Sequence, residues 1–79
     1  MPKLPIVSQK EIIRVLQRAG FEYAPKRGKG SHEAFVKIDK GKTRLVIVPD
    51  RKEIPKGTLL AILDQAGLTK EEFVKMLKG

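Results

Sequence analysis

The single histidine of this chain, His32, stands in the stretch KRGKGSHEAF, residues 26 to 35, behind Lys26, Arg27 and Lys29 and beside Gly28, Gly30 and Ser31. These residue types can act on a phosphodiester. Cleavage beside a ribose hydroxyl calls for a base to take the 2′-hydroxyl proton, an acid for the leaving 5′-oxygen, and cations to stabilise the phosphorane. Histidine suits the base, its reference pKa being about 6.5. General acid–base help is worth roughly 10²–10⁴-fold, and electrostatic stabilisation is often the larger contribution. Gly28 and Gly30 can take positive φ and let a phosphate come close to backbone amides. Ser31 can orient the imidazole or donate to a phosphate. The same residues also make an ordinary tight turn leading into a strand, with His32 a polar residue at its start. Taken alone, the stretch leaves both readings open.

The elements that must hold this stretch follow from periodicity. Ser8-x-x-Glu11 is a capping box, with Val7 and Ile12 placed as a hydrophobic staple. Ile12, Ile13, Leu16 and Ala19 recur at helical spacing, and Gly20 follows as a stop, so a first helix is expected over 9–19. Three strands are expected next, over 21–27, 31–38 and 43–48. Asp39-Lys40-Gly41-Lys42 forms a hairpin turn between the last two. In the middle strand Ala34, Val36 and Ile38 share one face, taken as the core face. His32 is in phase with them and is expected at the mouth of the core, partly covered. Tyr23 can stack on a base or serve as a core aromatic, and the second reading is the one expected. After Pro49 a polar loop runs to Pro55. A second helix then starts near Lys56 to Thr58, carries Leu59, Leu60, Ile62, Leu63 and Ala66, and stops at Gly67. A third opens on the capping box Thr69-x-x-Glu72, stapled by Leu68 and Phe73; its Phe73 and Met76 suit either the core or a partner. The order α-β-β-β-α-α describes an α+β two-layer sandwich, one antiparallel three-stranded sheet covered on one face by helices.

Composition narrows the class of function. With 79 residues the chain is a single domain, spanning 1–79, with one modest core. It has no cysteine and one histidine, so neither a disulfide nor a transition-metal site is expected, and no cofactor. No apolar run is long enough to span a membrane, and the proline-interrupted start does not resemble a secretory leader; a cytoplasmic location is expected. The net charge is +8, and residues 26–56 hold ten Lys and Arg against four acids, leaving +6 in the sheet and its following loop. Such a patch favours a polyanionic partner. Lys26, Arg27, Lys29, Arg44, Arg51, Lys52, Lys56 and Thr58 are the candidate phosphate contacts, the last two at a helix start whose amides carry positive charge. Lys37, Lys40 and Lys42 read as a solvated face.

Several motifs together resemble the HicA toxin family. They are Gly30-Ser31-His32 with Phe35 three positions on; Val48-Pro49 before a polar loop; and Lys56-Gly57-Thr58-Leu59 with Ile62-Leu63 and Gln65-Ala66-Gly67-Leu68. The resemblance runs from about Ser8 to Leu77. It implies a double-stranded-RNA-binding-domain-like fold and an endoribonuclease, an mRNA interferase that inhibits translation. It implies His32 as the catalytic residue, with Gly30 and Ser31 in support. It also implies two partners, mRNA and a cognate HicB-like antitoxin, the free toxin being a monomer. Many relatives carry a second histidine just after the Val-Pro pair, where this chain has Asp50 and Arg51. The competing readings are a non-catalytic RNA-binding module of the same fold and an interaction protein for an acidic partner.

Overall fold

A computed structural model describes residues 4–25, 30 and 32–79. Ser8 caps the first helix, α1 (Gln9–Arg18). Its hydroxyl accepts from the Glu11 amide at 3.3 Å, and the Glu11 carboxylate accepts from the Ser8 amide at 3.0 Å. Val7 and Ile12 are both buried, as a staple requires. Gly20, at φ 96°, ends the turn. The strands β1 (Glu22–Tyr23), β2 (Glu33–Asp39) and β3 (Lys42–Val48) form an antiparallel sheet in the order β1-β2-β3. Helix α2 (Lys56–Ala66) stops at the left-handed Gly67, and α3 (Lys70–Lys78) opens on the Thr69–Glu72 capping box. This is the α+β, double-stranded-RNA-binding-domain-like architecture expected.

The first strand is shorter than expected. Phe21 is a buried core residue ahead of β1, and Ala24 still donates to the Ala34 carbonyl at 2.8 Å. Residues 26 and 27, the expected end of this strand, lie outside the described residues. Tyr23 is half-exposed on this edge and tilts against Phe35 with ring centroids 5.6 Å apart, so it flanks the core without entering it.

The larger correction concerns the faces of the sheet. Directly paired residues share a face, and the pairs are Glu33 with Val48, Phe35 with Val46 and Lys37 with Arg44. Phe35, Val46 and Val48 are buried in the common core with Ile12, Leu16, Leu59, Ile62, Leu63 and Phe73. The helices therefore cover this face, and Ile38, on the other, is 77% exposed. Ala34 is buried, but the Ala34–Val36–Ile38 face is not the one the helices cover. One phenyl ring offers more apolar area than the β-branched residues beside it. Since β2 is apolar on both faces, the volume of Phe35 decides which face the helices take. Leu60 is likewise exposed, whereas Phe73 is buried and Met76 packs partly covered against the core.

The cations on the covered face reach helix ends. Lys37 Nζ donates to the Ala19 carbonyl at 2.7 Å and lies 5.8 Å from the Phe21 ring centre. Its alkyl stem crosses the core edge while its charge meets the negative end of α1, so it is no solvated lysine. Arg44 reaches the Gln65 carbonyl at 3.5 Å near the end of α2 and pairs with Asp39 at 3.4 Å. Both partners of that pair are about 40% exposed, so it contributes about 0–1 kcal/mol. The Arg44 guanidinium lies over Gly67, where a Cβ would stand 2.8 Å from its Cζ.

Two outcomes follow from these placements. Phe35→Ala should cost about 3–5 kcal/mol, while Ile38→Thr should stay within about 0.5 kcal/mol. Urea titration of both variants checks the face assignment, which fails if the ranking reverses. The Glu72 carboxyl is held below its ordinary value of 4.5 by hydrogen bonds from the Thr69 backbone amide and then its hydroxyl. The stabilisation is complete above that ordinary value and is lost as pH falls through the lower, folded value. Below pH 4.5, stability should therefore decline more steeply in the parent than in Glu72→Gln. Superimposable acid limbs by circular dichroism would contradict this.

Candidate active site

Register brings the site together. The last β2–β3 pair is Glu33 with Val48, so His32 and Pro49 emerge side by side at the end of the sheet. Pro49 has no amide proton for a further ladder bond and ends β3. The chain then turns through Asp50 and Arg51, and this loop is tied to the start of α1 at two points. The Gln9 amide donates to the Arg51 carbonyl at 3.0 Å, and the Ile54 amide to the Val7 carbonyl at 2.8 Å. Ile54 itself is buried, which anchors the loop from below. Pro55 then starts α2 with a fixed φ of −58° and no side-chain cap. The first intrahelical bond runs from the Leu59 amide to the Pro55 carbonyl. The Lys56, Gly57 and Thr58 amides thus precede the hydrogen-bonded ladder, and a Cβ on Gly57 would meet nothing within 4 Å.

His32, Pro49, Asp50, Arg51 and Thr58 line one open cleft of about 450 Å³. His32 is exposed rather than partly covered by the core, because the helices took the other face of β2. Among the described residues its ring makes no hydrogen bond. Among the same residues the single ion pair is Arg44–Asp39, which leaves the Arg51 guanidinium unclaimed by a carboxylate. An imidazole, a guanidinium, a hydroxyl and the positive end of a helix around one opening can take a proton and hold a phosphate. No group of three or more His, Asp or Glu among the described residues is placed to hold a metal ion.

The expected site residues divide by position. His32, Arg51 and Thr58 meet in the cleft. Lys56, exposed, opens the helix beside it, and Lys52 faces a neighbouring cleft with Lys10. Arg44 is not brought to this opening. It lies near the hairpin turn at the other end of β3, engaged with Asp39 and the end of α2. Gly30 is exposed at φ 62°, the positive φ anticipated for it. Lys26, Arg27, Gly28, Lys29 and Ser31 lie outside the described residues. Sequence reasoning did not enlist Asp50 as a site residue, although it sits directly after the Val48-Pro49 pair. It missed Lys10 altogether, since only the long-range bonds between loop and α1 bring that residue near.

Two comparisons bear on this arrangement. No curated protein matches the chain. A family model described as HicA toxin of bacterial toxin-antitoxin matches residues 10–68, well over half of the chain. The matched span contains the strand that begins after His32, the Val48-Pro49 turn and the whole of α2. With the cleft assembled from the same segments, the chain belongs to the HicA toxin family of bacterial toxin–antitoxin systems.

Proposed function

We propose that this toxin is an endoribonuclease, an mRNA interferase in which His32 is the base, and that a cognate HicB-like antitoxin neutralises it. The observation that carries the reading is the single opening shared by His32, Arg51 and Thr58 at the start of α2. His32 takes the 2′-hydroxyl proton, and the freed oxygen attacks the adjacent phosphorus. The bond to the 5′-oxygen breaks, leaving a 2′,3′-cyclic phosphate and a 5′-hydroxyl. Arg51 and the first amides of α2 stabilise the charge that gathers on the phosphorane. Arg51 is a poor proton donor because its pKa is far above neutrality, so the leaving oxygen draws its proton from water or a lysine. The step needs no cofactor. The site lies open to a strand several nucleotides long, and a net charge of +8 draws such a strand in. No helix among the described residues is long and apolar enough to cross a membrane, which is compatible with action on cytoplasmic mRNA. Asp50 and Arg51 stand where many family members carry a second histidine. The cleft thus lacks that candidate acid and has a carboxylate and a guanidinium there instead.

His32→Ala should lower kcat on a single-stranded RNA by at least about 10²-fold, leaving affinity within a few-fold. Parent digests should carry 2′,3′-cyclic phosphate ends. Unchanged cleavage by the variant would falsify the role of His32. Salt-sensitive binding by the antitoxin-free parent with no cut product would instead identify a non-catalytic RNA-binding module.

A further inference from the structure

The cleft at His32 shares a wall with a second one. Ser8, Gln9, Lys10 and Lys52 line this neighbour, of about 310 Å³, while Asp50 and Arg51 line both. The shared wall is held in place by the bond from the Gln9 amide to the Arg51 carbonyl. Among the described residues every side chain that lines the second cleft carries a polar or charged end group, and the carbon stems of the long ones form its walls. It has three cations, Lys10, Arg51 and Lys52, against the one carboxylate of Asp50. All three cations are exposed and, among the described residues, none is in an ion pair. The start of α1 contributes little here, because the Ser8–Glu11 capping box already engages it. The attraction comes from side-chain charge, and lysine ammonium groups suit phosphate as point charges.

We propose that the second cleft is a phosphate subsite for the RNA strand, supplied by Lys10 and Lys52. A strand whose scissile phosphate lies beside His32 then crosses the Asp50–Arg51 ridge and sets a neighbouring phosphate between the two lysines. Asp50 repels phosphate from the ridge itself and so favours the hollows on either side. It can also accept a hydrogen bond from the intervening ribose hydroxyl, the group that distinguishes RNA from DNA. This inference rests on the RNA-cleaving reading of the first cleft and adds the course of the strand beyond it.

The test is the binding of a fluorescein-labelled single-stranded RNA octamer, measured by anisotropy across a salt series in the His32→Ala background, where the probe stays intact. Adding Lys10→Gln with Lys52→Gln should weaken binding roughly tenfold and flatten the slope of log affinity against log salt by about 0.7, the equivalent of one single-strand phosphate. The charge-matched control is Lys40→Asn with Lys42→Gln, at the hairpin turn, separated from the cleft by the seven-residue length of β2 and β3. It should change affinity by less than about threefold. Equal losses in the two pairs would reduce the second cleft to general charge and overturn the subsite. Tight octamer binding that ignores Lys10 and Lys52 would overturn the subsite and leave the first cleft standing. No octamer binding by the His32→Ala protein at all would overturn both.

Discussion

The register of the β2–β3 hairpin is the constraint on which the rest depends. Lys40, at φ 51°, and Gly41, at φ 80°, form a two-residue turn with both residues in the left-handed region. That geometry matches the natural twist of paired strands and pins Asp39 opposite Lys42. Every other pair follows from this one, up to Glu33 with Val48 at the far end. A slip of one residue would turn one strand over against the other, so that either Phe35 or the pair Val46 and Val48 would face solvent. It would also part His32 from Pro49 and dissolve the cleft. One short turn therefore governs both the core and the cleft at the opposite end of the sheet.

The core supports that end without burying it. Beneath the cleft, Ile54 sits in the apolar cluster, and its amide ties the loop to Val7. Above it, His32, Asp50 and Arg51 remain in solvent. The polar groups are thus held by backbone bonds of their neighbours and keep their own side chains free for a ligand. Such an arrangement suits a substrate that is large, charged and transient. A phosphate backbone needs positioned cations and open access more than an enclosing pocket.

Much of this was legible in the sequence. Both capping boxes, both staples, the hairpin turn and the left-handed Gly20 and Gly67 follow from local rules that involve residues at most a few positions apart. The placement of His32 beside the residues after Val48-Pro49 also follows, once the hairpin register is assumed. What escaped depended on distant parts of the chain. Residues 33–39 carry apolar side chains on both faces of the strand, and alternation alone favoured the face with three of them. The helices took the face with Phe35, whose ring joins Leu59 and Ile62 in the buried cluster. Lys37 looked like surface charge and Arg44 like a phosphate contact, because nothing in their neighbours shows that α1 and α2 end within their reach. Lys10 was invisible as a site residue for the same reason.

The seat of Arg44 over Gly67 couples two positions 23 residues apart into one unit of inheritance. A side chain at position 67 would be strained at φ 72° and would also evict the guanidinium that meets the end of α2. A shorter residue at position 44 removes that clash but leaves the backbone strain. The guanidinium is the far end of a half-exposed side chain and can swing aside, so the backbone strain at φ 72° is the lasting obstacle at 67 whatever stands at 44. The pair lies near the hairpin end of the sheet, away from the cleft at His32, so a change in it leaves that cleft untouched.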